Sequence, residues 1–221
     1  MVMDNIVRLA FSYIRDKYLY LRRYPYLVRI KKNLDQDTSI ISSNCFAGRI
    51  MQDIGMEYNT PTLGLWFMPD DFPKFCSNLQ YYLDCDIIEK DHSKNELGEY
   101  KRTHRLKHPY PVGSIGGDVE IHFLHYYTFE EAVTKFKRRA KRVNYDKLIM
   151  IAMEQNGCSE EDIKAFDAIP FKRKIFFCSK PYKYQSVVYI KEFRNLGHVG
   201  DPYKKGYIFY KYFSKWLEDN K

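Results

Sequence analysis

The chain has 221 residues, 45% of them hydrophobic and 29% charged, with 11 Gly and 9 Pro. That balance excludes collagen-like, low-complexity and disordered classes, and it leaves enough chain to bury a core. A formal net charge of +8 with 20 Tyr and 15 Phe suits anionic partners, whether phosphorylated small molecules, an acidic lipid surface or nucleic acid.

No run approaches the roughly 18 apolar residues of a spanning helix, and the first residues lack the apolar core and cleavage site of a signal peptide. The expectation is a protein neither integral nor secreted. The five cysteines, Cys45, Cys76, Cys85, Cys158 and Cys178, include no C-x-x-C pair, so a reducing cytoplasm fits better than a disulfide framework or zinc ribbon.

Residues 1–36 carry eight basic side chains against three acidic ones, a net +5. Ile6, Leu9, Phe11, Ile14 and Tyr18 recur at near-helical spacing, which predicts an amphipathic basic helix followed by an irregular arm around Pro25. The segment could lie on an anionic membrane at its inner face, or pack on protein with its Lys and Arg stems covering apolar surface. The expected organisation is this segment, 1–36, and a single α/β domain, 37–221.

From Thr38 onward short apolar runs alternate with helical patterns, as in a three-layer α/β/α sandwich around a mostly parallel or mixed sheet. Strands are predicted over 39–43 and 63–67, with a helix over 46–54 between them. A helix over 71–83 and a short strand over 87–88 follow. The polar stretch 90–111 holds three of the six His, lacks periodicity and reads as a long loop.

Alternation over 118–125 predicts a strand with one wet face. Thr128 with Glu131 has capping-box spacing and opens a helix over 129–141. Its cluster Lys135, Lys137, Arg138, Arg139, Lys141 and Arg142 reads as a charged helix face, because Phe129, Ala132, Val133 and Phe136 form the stripe turned inward. No nucleic-acid partner is expected. The apolar run 148–153 predicts a central strand covered on both sides, a helix over 159–168 follows, and strands over 174–178 and 187–191 precede a C-terminal helix over 207–217.

Four blocks resemble one bacterial family. They are Ile41-Ser42-Ser43-Asn44-Cys45 with Tyr58-Asn59-Thr60-Pro61; Tyr110-Pro111-Val112-Gly113 with Gly117 through Tyr126; Gly157-Cys158 with Phe166-Asp167; and Ser186 through Glu192 with Val199-Gly200-Asp201. That family is catalogued as domain of unknown function 1919 and commonly labelled exopolysaccharide biosynthesis protein. The blocks span about 38–201, and the basic segment before Thr38 lies outside them. The resemblance implies a role in making or decorating capsular or exopolysaccharide. A second likeness is to polysaccharide-biosynthesis proteins regarded as acetyltransferases that bind coenzyme A. They carry Gly-Asn-Cys-Gln after the first strand, where this chain has Ser43-Asn44-Cys45-Phe46, so Asn-Cys alone matches.

In open α/β sheets ligands collect outside the carboxyl ends of strands. Ser43, Asn44 and Cys45 lie between a strand and a helix, where free N–H groups bind anions and lower a thiol pKa. Cys45 is thus a candidate nucleophile or a packed thiol, and Asn44 a candidate oxyanion or pyrophosphate ligand. Asp118, Glu120 and His122 share one face of their strand, and His125 sits at its carboxyl end, which makes His125 the better placed general base. The alternative for His122 is a half-buried, hydrogen-bonded histidine. Lys180, Glu192 and Asp201 follow later strands; they are candidates to neutralise a phosphate or accept a sugar proton, or residues of structural turns.

P-loop, Rossmann, nucleophile-elbow and zincin motifs are absent, and Asp84-Cys85-Asp86 follows a helical run instead of a strand, so no metal is predicted. The leading expectation is a cytoplasmic, membrane-peripheral transferase moving acetyl from acetyl-coenzyme A, an anionic donor, to a carbohydrate acceptor. The alternatives are a glycosyltransferase using a nucleotide sugar, or a non-catalytic module docking the polysaccharide machinery to the membrane.

Overall fold

The computed structural model describes the backbone of residues 2–220 and the side chains of residues 13–220. In chain order the elements begin with α1 (Val2–Asn33), β1 (Ser39–Ser42), α2 (Phe46–Ile54), α3 (Asp71–Ser77), α4 (Leu79–Asp84) and β2 (Ile87–Lys90). They continue with α5 (Glu96–His104), β3 (Val112–Ile115), β4 (Val119–His122), α6 (Phe129–Ala140), β5 (Leu148–Met153) and α7 (Glu160–Asp167). The chain closes with β6 (Lys174–Cys178), β7 (Val187–Tyr189), a 3-10 turn (Lys191–Phe193) and α8 (Gly206–Asp219).

Two compact units emerge, one from residues 36–199 and one from the chain before and after them. In the helical unit α1 packs against α8, and the Arg22 guanidinium lies 3.6 Å from the Tyr207 ring centroid. Helix α1 runs through Pro25, where the sequence predicts an irregular arm. A proline costs its helix one hydrogen bond and a clash with the preceding turn; buried Leu27 and Ile30 just beyond it carry the helix onward.

The larger unit is an α/β sandwich. Its main sheet is wholly parallel, in the order β1-β5-β6-β7. Strand β5 is inner and every one of its residues is buried, as its unbroken apolar run predicts. A second sheet, β2-β3-β4, is antiparallel, and Gly116 and Gly117 turn β3 into β4 with φ of 64° and 88°. One core spans both sheets, from Ile121 and Phe123 through Phe67, Phe75 and Phe136 to Met150, Phe166 and Phe176.

Several expected elements differ. Residues 63–67 make one isolated bridge, Trp66 opposite His122, because Gly64 turns the backbone at φ 76°. The helix predicted over 71–83 is broken at Asn78, with φ −134° and ψ 51°. The polar loop 90–111 contains α5, capped by Asn95 Oδ1, which accepts from Gly98 N at 3.2 Å. The strand predicted over 118–125 is the shorter β4, and it belongs to the antiparallel sheet.

Candidate functional site

The parallel sheet builds one rim. Strand β1 ends at Ser42, and Asn44 Oδ1 closes the turn by accepting from Phe46 N at 3.0 Å. Asn44 Nδ2 donates to Gln155 Oε1 at 3.1 Å, just past the end of β5. Next to Gln155, Asn156 stands at φ 59°, a left-handed conformation that asparagine tolerates better than most residues. The Lys101 ammonium from α5 donates to Asn156 Oδ1 and lies 5.5 Å from the Trp66 ring centroid. Helix α5 thereby brings a cation to the carboxyl ends of β1 and β5, the edge where ligands collect in parallel sheets.

Residues 63–68 join this rim to the antiparallel sheet. Phe67 N donates to Ser43 O at 3.0 Å, and Trp66 and His122 exchange backbone hydrogen bonds of 2.9 and 3.0 Å. His125 N donates to Gly64 O at 2.9 Å, while Cys45 Sγ donates to Leu65 O at 3.5 Å. Cys45 and His125 therefore flank consecutive peptide units of one segment. Their settings differ. Cys45 is 5% exposed and packs with Trp66, Met68, Tyr110 and Leu124, whereas His125 is exposed. Partial desolvation and then the Arg105 guanidinium lower the His125 pKa from 6.5. Burial and then Arg105 likewise lower the Lys101 ammonium from 10.5.

Beneath the rim lies a closed polar network. His122 is 0% exposed, stacked on Trp66 with ring centroids 4.0 Å apart, and its Nε2 approaches Glu120 Oε1 at 2.9 Å. That approach is an ion-pair distance, off the line of a ring N–H hydrogen bond, and Nδ1 has no partner among the described residues. Glu120 accepts Ser93 Oγ at 2.5 Å and Lys94 N at 2.8 Å. Burial pushes its carboxyl up, but His122, Ser93 and Lys94 outweigh that and hold it below 4.5. Asp71, fully buried, accepts Lys94 Nζ at 2.7 Å and Glu120 N at 3.1 Å; desolvation dominates there and raises its pKa above 3.8.

The other sequence candidates scatter. Asp118 precedes β4, is exposed, and accepts the Tyr82 hydroxyl at 3.1 Å. Ser43 continues the sheet ladder by donating its N–H to Ile151 O at 2.9 Å. Lys180 is exposed after β6, and Glu192 is exposed in the 3-10 turn. Asp201 belongs to the helical unit, where Oδ1 accepts Tyr203 N at 2.8 Å. Among the described residues no three His, Cys, Asp or Glu side chains converge as metal ligands would.

An open cleft of about 570 Å³ lies beside α5 and the start of α6, lined among others by Lys90, Asp91, Arg102, Tyr110 and Tyr127. Tyr110 connects it to the network, since its hydroxyl accepts Trp66 Nε1 at 3.2 Å. Burial pushes that phenol up to about 12. Arg102 grips Glu99 at 2.8 Å and holds its carboxyl down at about 2.

A family model described as "Domain of unknown function (DUF1919)" matches residues 20–218. The chain belongs to that family. A protein from Haemophilus influenzae, named "Uncharacterized protein", is 32% identical over 188 residues, which cover 84% of each chain. The DUF1919 match begins inside α1 and ends inside α8. Part of the basic segment, which the sequence blocks place before the family region, therefore lies within it.

Within this DUF1919 domain, Lys101, Arg105, Trp66, Gln155 and Asn156 escape sequence reasoning. Four of them sit in or beside α5 or in a short turn, where no periodicity marks a site. Asn156-Gly157 is a readable turn signal, and the cationic run after Asn95 is the clue that α5 offered.

Proposed function

We propose that the protein transfers a small group, acetyl from acetyl-coenzyme A in the first instance, to a hydroxyl of a surface-polysaccharide precursor. The observation that carries this reading is an exposed imidazole, His125, whose pKa is lowered by desolvation and by Arg105, beside a rim carrying Lys101 and three carboxamides. An imidazole below its ordinary 6.5 is neutral at pH 7 and has a lone pair to accept a proton. The acceptor hydroxyl oxygen would attack the thioester carbonyl as its proton passes to His125. The C–O bond forms, the C–S bond breaks, and the leaving thiolate takes the proton back from the imidazolium. Arg105 and Lys101 supply positive charge for a donor rich in phosphate.

Asn44, engaged with Gln155 and Phe46 N, serves in this scheme to hold the turn, and Cys45, packed and donating to Leu65 O, serves as packing. The family resemblance supports the polysaccharide setting.

Thermal-shift titration with acetyl-coenzyme A, coenzyme A and nucleotide sugars tests the donor, because a ligand selective for the folded state raises the melting temperature. A shift with acetyl-coenzyme A, followed by loss of transfer in a stably folded His125→Ala protein, is the expected result. A shift with nucleotide sugars alone replaces acetyl by glycosyl transfer, and no shift with any donor rejects the enzyme reading.

A further inference from the structure

The outward face of α1 has a chemistry of its own, independent of the transfer proposed above. Ile14, Tyr18, Leu21 and Val28 are 62%, 55%, 68% and 53% exposed, and they recur at spacings of four, three and seven with Pro25 between the last two. At about 3.6 residues per turn these positions form one straight stripe. Arg23, Leu27 and Ile30, on the other side of the helix, are buried, so the stripe is not the face by which α1 packs.

Cations line both of its edges. Arg15, Arg22 and Arg29 each follow a stripe residue by one position, Arg22 resting on the Tyr207 ring of α8, and Lys17 and Lys31 border the opposite side. Lys32 ends the stripe, and Asp16, 3.3 Å from Arg15, is the one acid between residues 13 and 33.

Stripe residues at heptad spacing could also seat a second copy of the helix, but charge argues against it. In a parallel pair the flank carrying Lys17 and Lys31 would face the flank carrying Arg22 and Arg29. In an antiparallel pair each flank would face its like. Either arrangement sets cation against cation, the reverse of the complementary flanks that specify helix pairs. Tyr13, Tyr20 and Tyr24, also exposed, are residues that favour a membrane interface, and long Lys and Arg side chains can reach up from it to headgroups.

We infer that α1 lies flat on an anionic lipid surface, its stripe in the headgroup boundary and its two cationic edges against lipid phosphates. Among the described residues no helix is long and apolar enough to cross a membrane, so the contact is interfacial. Co-sedimentation of the full chain with vesicles of phosphatidylcholine and phosphatidylglycerol in equal parts, against pure phosphatidylcholine, tests it. Binding is expected to the mixed vesicles alone and to weaken in high salt. Leu21→Ser with Val28→Ser, and separately Lys31→Glu with Lys32→Glu, should each reduce it by about tenfold or more, since one basic residue near such a surface counts for roughly fivefold.

All four positions are exposed, and an unchanged far-ultraviolet circular dichroism spectrum confirms that the variants fold. Equal binding to pure phosphatidylcholine, undiminished binding by both variants, or a dimer that Leu21→Ser with Val28→Ser dissociates would each overturn the inference, the last in favour of a second copy.

Discussion

His122 and His125 stand three residues apart, one inside β4 and one just past its end, and the chain gives them opposite lives. His122 is sealed between an indole and a carboxylate, within a network whose other members come from α3, β4 and the turn before α5. His125 is open to solvent and feels Arg105 across the rim. A strand supplies the residue types, and its neighbours set the chemistry. The same imidazole is structural where Trp66 covers it, and available where the chain turns at Gly64.

The sharpest way to break this contrast is to remove the acid beneath it. Glu120→Ala leaves the Ser93 hydroxyl and the Lys94 N–H without their acceptor and the buried His122 without its ion-pair partner. Each stranded donor costs about 1–3 kcal/mol, so a loss of about 3 kcal/mol or more is expected in chemical denaturation. His125→Ala, on an exposed side chain, should stay within about 0.5 kcal/mol of the parent. Equal losses would erase the distinction between network and rim.

A smaller effect is expected from Gly98→Ala, which approaches the same network from α5. A Cβ there would come within 2.9 Å of His122 Cε1 and 2.4 Å of Ser93 Oγ. Ser93 can rotate away, but His122 is clamped by Trp66 and cannot. Overpacking of this kind costs about 1–3 kcal/mol, read as a lowered denaturation midpoint with an unchanged slope. If Gly98→Ala is neutral, α5 is looser over β4 than the close approach implies.

These effects also mark where sequence reasoning succeeds. Helix 46–54 and strands 148–153 and 174–178 coincide with α2, β5 and β6, because apolar periodicity is strong where both faces or one whole face are buried. That Glu120 and His122 share one face of their strand is legible from the two-residue repeat, but their approach to one another is not. The rim is less legible. The rule that favours His125 is one for parallel strands, whereas β4 is antiparallel. What brings it beside Cys45 is the 63–68 segment, whose single bridge and left-handed glycine carry no strand pattern. Arg105 and Lys101 come from a helix of low apolar content within a polar stretch, where capping by Asn95 is the readable signal and no stripe exists to find.

Arg105 gives the finest test, because it is the link between α5 and His125. Desolvation is the first cause of the lowered His125 pKa and Arg105 the second. Arg105→Gln should therefore move the NMR titration midpoint upward, part of the way toward 6.5 and not past it. The sign carries through to stability. Above pH 6.5 the imidazole is neutral both folded and unfolded, and it contributes nothing. As pH falls below 6.5 the unfolded chain takes the proton first, and the folded state loses ground until its own lower midpoint is reached. Arg105→Gln narrows that window, and the acid limb of any His125-dependent turnover should move up with the titration. A midpoint unmoved by the substitution would leave His125 lowered by its surroundings alone, and the cation on α5 would have no part in readying the base.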